Sequence, residues 1–136
     1  MRLGDLAGDD VPTAGPETTV GELTAAMRNR GVDSVVVLDE GTPLGLVTAA
    51  DVGRVYVEGE VLDSQAVADL LPENPVTLRE GADLPALLAE FEATGAREAV
   101  VVDDAGEYVG VVTLGDALVA FGEELSEVLA LFEGSD

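Results

Sequence analysis

The chain repeats itself at a nearly constant offset, and this limits what it can fold into. Asp5-Leu6, Thr13 and Gly31 recur 64 positions later as Asp69-Leu70, Thr77 and Gly95, and the apolar runs ending at Asp39 and Asp103 keep that spacing. One added residue in the following turn moves the offset to 65, which aligns Gly45 with Gly110, Thr48 with Thr113 and Asp51 with Asp116. Punctuating residues recurring at fixed places describe one structural unit used twice. A unit of roughly 60 residues with one small sheet is marginal by itself. The expected solution is two units packed face to face about a pseudo-two-fold axis, forming one compact domain with two equivalent clefts.

Each unit carries the same local signals. In the first, Thr19 followed by Glu22 predicts a capping box opening a helix to about Asn29, which Gly31 ends. Residues 32–38 are β-branched and apolar and predict a buried strand; residues 44–47 predict its hairpin partner across Asp39-Glu40-Gly41. Thr48 then opens a second helix. In the second unit Asp83 caps a helix with Pro85 in its first turn, and Gly95 stops it. Residues 99–102 and 108–112 predict the hairpin, and Thr113 opens the last helix. With short extended segments at 11–14 and 75–78, the class is α/β (α+β), two β-α-β-β-α repeats. The expected division is 1–58 for the first repeat, 59–66 for a linker, 67–122 for the second repeat and 123–136 for a C-terminal helical extension. Leu118, Phe121, Leu125, Val128, Leu129 and Phe132 form an apolar face on that last helix, expected to pack on the domain or, if exposed, to be a partner or dimer surface.

Composition narrows the chemistry. With no Cys there are no disulfides, thiolate metal sites or cysteine nucleophiles, and with no His there is no imidazole base. No nucleophile–base pair is visible, so the chain reads as a binding module and not an enzyme. Against 28 Asp and Glu stand six cations, all Arg, for a net charge of −22. Such a surface repels nucleic acid and anionic membranes. At about 1 M salt the Debye length is about 3 Å and the self-repulsion largely vanishes, so an acidic chain without Lys fits a salt-filled cytoplasm. The first ten residues lack the basic and apolar regions of a signal peptide, and no apolar run is long enough to span a membrane. A cytoplasmic location is expected.

The recurring signature is Gly-x-x-Thr-x-x-Asp, at Gly45/Thr48/Asp51 and Gly110/Thr113/Asp116. A strand runs straight into a helix N-terminus, where free N–H groups and the helix dipole favour an anion. The Thr hydroxyl suits a phosphate oxygen, and the acceptor-only Asp suits paired ribose hydroxyls. The same residues are also what a capped helix start looks like. Clustered acids at Asp9-Asp10, Asp39-Glu40 and Asp103-Asp104 suit solvated turns, or a cation buffer as a distant third reading. Tyr56 and Tyr108 are expected to be packing residues.

The two-fold repeat, the order of elements, the doubled signature and the segment Val67-Ala68-Asp69-Leu70-Leu71-Pro72-Glu73-Asn74-Pro75-Val76-Thr77 resemble a tandem pair of CBS (cystathionine β-synthase) domains, a Bateman module, over about residues 3–122. The resemblance implies a stand-alone regulatory module with an adenosine ligand (AMP, ADP, ATP or S-adenosylmethionine) in clefts between the repeats, and no catalytic cofactor. It implies ribose contacts from Asp51 and Asp116 and phosphate or polar contacts from Thr48 and Thr113. Loosely, it places the adenine near Pro12 with Val32, and near Val76 with Ala96. It also implies a homodimer and an unidentified protein effector. The chain departs from the family pattern at Val36 and Val100, where Pro is frequent, and at Asp33-Ser34, where basic residues are frequent. Arg97 keeps the basic character in the second repeat, towards phosphate or towards Glu98; Arg54 stands one turn beyond Asp51. The alternative is a ligand-free dimerisation or assembly module whose Thr and Asp only cap helices.

Overall fold

The computed structural model describes residues 2–59, 64–71 and 75–133. Residues 60–63 of the expected linker, Pro72, Glu73 and Asn74 of the family-like segment, Met1 and the last three residues of the extension lie outside the described residues. In chain order the elements are α1 (Leu3–Leu6), β1 (Thr13–Ala14), α2 (Val20–Arg30), β2 (Ser34–Asp39), β3 (Thr42–Thr48) and α3 (Ala49–Val57). A 3-10 turn at Val67–Leu70 precedes β4 (Thr77–Arg79), α4 (Leu84–Thr94), β5 (Glu98–Val102), β6 (Tyr108–Thr113) and α5 (Leu114–Glu133). Each repeat holds a three-stranded sheet, β1-β2-β3 or β4-β5-β6, with its first pair parallel and its second antiparallel. This is the predicted mixed α/β pair of β-α-β-β-α units.

The helix boundaries follow their caps. The Thr19 hydroxyl accepts from the Glu22 N–H at 3.2 Å, and the Asp83 carboxylate accepts from the Ala86 N–H at 3.0 Å. Gly31 ends α2 in the left-handed conformation (φ 64°), with its own N–H donating to Arg28 and the Val32 N–H to Met27. That closure is a Schellman turn. It explains why β2 begins at Ser34 and not at the predicted Val32: the Val32 amide completes the helix stop and is not free for the sheet.

Alternation in the central strands divides two kinds of contact. Val35 and Val37 pack with Val20, Leu23 and Met27 of α2. Val36, fully buried, and its repeat-equivalent Val100, 1% exposed, belong to neither helix-side cluster. Alternation puts them on the faces of their sheets opposite the packed helices.

The segments that open each repeat are exchanged. Leu3 is fully buried in the second repeat's core with Leu84, Leu87 and Phe91, and its N–H donates to the Ala82 carbonyl at 2.9 Å. Val67 and Leu70 are buried in the first repeat's core, with the Val67 N–H donating to Thr18 at 2.8 Å. Gly8 and Val111 exchange both backbone hydrogen bonds at 2.9 and 3.0 Å. At that crossing Gly110 has no room for a side chain: a Cβ there would stand 2.6 Å from the Gly8 carbonyl oxygen. The glycine of the repeated signature is thus a close-approach residue.

The C-terminal helix departs from expectation. Its packed face consists of Ala117 and Ala120, whereas Leu118, Phe121, Leu125, Val128, Leu129 and Phe132 are exposed, Phe121 by 52%. The reason is length. Twenty residues make a helix of about 30 Å, while the eleven of α4 beneath it make about 16 Å. Small alanines let the first turns of α5 sit close to the core, and among the described residues none after Ala120 is buried. Tyr56, expected to be a packing residue, is 72% exposed near the end of α3.

Candidate functional site

Both signature motifs sit where a hairpin's second strand passes into a helix. Thr48 is extended (φ −110°, ψ 164°), and its hydroxyl accepts from the Asp51 N–H at 3.2 Å. Asp51 Oδ2 returns the contact, accepting from the Thr48 N–H at 2.8 Å and the Thr48 hydroxyl at 3.0 Å. Thr113 and Asp116 form the same reciprocal pair, with both bonds at 3.0 Å. The motif is therefore a complete capping box in each repeat. The cap occupies Oδ2 only. Asp51 Oδ1 meets Arg54 at 3.4 Å, and Asp116 Oδ1 accepts no hydrogen bond from a described residue. Capping and ligand contact are compatible uses of one carboxylate.

Each motif opens onto a cleft completed by the other repeat. A cleft of about 700 Å³ brings Thr48, Asp51 and Arg54 opposite Val76, Ala96 and Arg97. A second, of about 520 Å³, brings Thr113 and Asp116 opposite Val32, with Val11 and Asp10 beside them. Both volumes fall in the range of roughly 300–1,000 Å³ that small-ligand sites occupy. Val32 and Ala96 reach the clefts because they directly follow the glycines that stop α2 and α4. Pro12 does not line its cleft. It is buried immediately before β1, its carbonyl accepting from the Val36 N–H at 3.0 Å in the parallel ladder, and Val11 takes the wall position.

Arg97 is exposed on the wall of the larger cleft, and no ion pair joins it to Glu98 or to another described carboxylate. Asp33 and Glu98 line both clefts, a placement that sequence spacing does not reveal. Burial pushes the Glu98 carboxyl above the usual carboxylate range; a hydrogen bond with the Ser34 hydroxyl opposes the shift, and the charges of Asp33 and Asp51 add to it. Among the described residues no group of three acidic side chains converges as a metal-ligand set. Asp103 instead organises its turn, accepting from the Ala105 and Glu107 N–H groups at 2.9 and 3.0 Å.

This paired-repeat architecture is that of CBS-domain pairs. A CBS domain profile matches residues 3–58 and 67–123. The chain belongs to the CBS-domain family. An uncharacterized protein of Methanopyrus kandleri is 31% identical over 120 residues, covering 87% of this chain and 61% of that relative's length. The CBS-domain containing protein of Agrobacterium tumefaciens superposes with a TM-score of 0.72 at 25% identity, covering 88% of this chain and 98% of the other. A CBS domain protein of Pyrobaculum aerophilum, solved in complex with AMP, superposes with a TM-score of 0.76 at 20% identity, covering 85% and 89%. Among the described residues no helix is long and apolar enough to cross a membrane.

Proposed function

We propose that this chain is a cytoplasmic regulatory module, without catalysis of its own, which binds an adenosine ligand between its repeats and passes occupancy to a protein partner. The observation that carries this reading is the larger cleft, where Thr48 and Asp51 of one repeat face Val76, Ala96 and Arg97 of the other. Asp51 supplies acceptors for ribose hydroxyls, Thr48 and Arg97 face a phosphate, and Val76 with Ala96 flank the base. AMP is the first candidate, because a protein of the same fold was solved with it; ADP, ATP and S-adenosylmethionine remain in the test. Since the cleft walls belong to different repeats, a ligand stabilises the relative orientation in which both walls touch it.

The exposed apolar face of α5 supports a homodimer, in which a second copy covers Leu118, Phe121 and Leu125. A second reading draws on the complete capping boxes: a ligand-free assembly module whose Thr and Asp only secure helix starts. Calorimetric titration of AMP, ADP, ATP and S-adenosylmethionine separates the two, at about 2 M KCl, where the charge is screened. Saturable heat is expected with at least one of them. No heat from folded protein would leave the assembly reading.

A further inference from the structure

We infer that the two clefts are chemically unequal and that the chain accepts a phosphate-bearing ligand at one site only, in the Thr48 cleft, with Arg97 and Asp33 as the residues that decide it. The inference rests on the adenosine-ligand reading above and goes beyond it in fixing the site and its stoichiometry.

The clefts are built from equivalent positions. Gly95 and Gly31, Ala96 and Val32, Leu46 and Val111, Thr48 and Thr113, Asp51 and Asp116 occupy corresponding places on the two walls. Against that shared framework the differences in charge stand out. Arg97 corresponds to Asp33, and Arg54 corresponds to Val119. The Thr48 cleft therefore has two guanidinium groups against three carboxylates, Asp33, Asp51 and Glu98. The Thr113 cleft has no cation and four carboxylates, Asp10, Asp33, Glu98 and Asp116. A phosphate entering the first finds a bidentate donor; entering the second, it finds four carboxylates and no counter-charge. Asp33 and Glu98 stand in the partition between the clefts, so their charge bears on both, and only the Thr48 side carries a counter-charge.

The test is titration of AMP into the wild-type chain at about 1 M KCl, a salt level that screens distant charge but not groups in contact. Amide chemical shifts locate the ligand. One site per chain is expected, with perturbations at Thr48, Ala96 and Arg97 and none at Thr113 or Val32. Arg97→Gln should weaken AMP at least tenfold. Asp33→Arg, which copies Arg97 into the other cleft at an exposed position, should raise the stoichiometry from one to two. Two sites of similar affinity in the wild type, or a single site mapping to Thr113 and Val32, would overturn the inference while leaving the adenosine reading intact. Uncharged adenosine is titrated in parallel. Binding of adenosine without AMP overturns this inference alone, and binding of neither overturns both.

Discussion

Glu98 lies against Ser34, its own counterpart 64 positions earlier in the repeat. The pair marks the pseudo-two-fold axis, and the two positions carry different chemistry. Ser34 is buried, at 6% exposure, and Glu98 is held beside it on the partition between the clefts, facing Asp33 and Asp51.

This placement makes Glu98 a pH-dependent liability. Its folded-state pKa is raised, mainly by burial, so between the unfolded and folded values the native protein binds more protons than the unfolded chain. Stability therefore falls as pH rises through that window, and the penalty is fully present above it. Glu98→Gln should raise the melting temperature at pH 7 by on the order of 2 °C. The advantage should shrink as pH is lowered towards the ordinary Glu value. Thermal melts across pH 4–7.5 check this, and equal melting temperatures at pH 7 would refute it.

The exchanged leading segments predict cross-repeat damage. Leu3→Ala should cost about 2–5 kcal/mol, as for other fully buried leucines, and should loosen amides of α4 and β5 before those of α2 and β2. Leu70→Ala should produce the opposite pattern. Gly110→Ala should be as severe as either, because the added methyl meets backbone at Gly8 and not a movable side chain. Urea denaturation gives the magnitudes and hydrogen exchange gives the location.

Thr48→Ala and Thr113→Ala each remove one half of a capping box and should each cost about 1 kcal/mol. Their effects on AMP should differ. Thr48→Ala is expected to weaken binding at least tenfold, and Thr113→Ala to leave it within twofold. Equal effects on affinity, tracking the stability loss, would reduce both residues to caps.

The uncovered face of α5 predicts association. In about 2 M KCl, where self-repulsion is screened, sedimentation should find a dimer. Leu125→Glu should yield a monomer of unchanged helix content, because Leu125 packs on no core of its own chain. A wild-type monomer at tens of micromolar would remove α5 as a dimer surface.

The sequence by itself determined the local structure: the repeat, the four capped helix starts at Thr19, Thr48, Asp83 and Thr113, the glycine stops at Gly31 and Gly95, and the buried hairpins. These rest on hydrogen bonds and apolar spacing within a few residues, which short-range patterns record. The candidate site was legible as Thr48 with Asp51 and Thr113 with Asp116 for the same reason. Tertiary structure alone decided that Leu3 serves the opposite repeat, that Val11 and not Pro12 lines a cleft, and that Glu98 and Asp33 stand between the clefts. It also decided that the apolar face of α5 projects beyond the core. Those outcomes depend on which surfaces meet across 64 residues of chain and on the relative lengths of packed helices, and neither is written in local spacing.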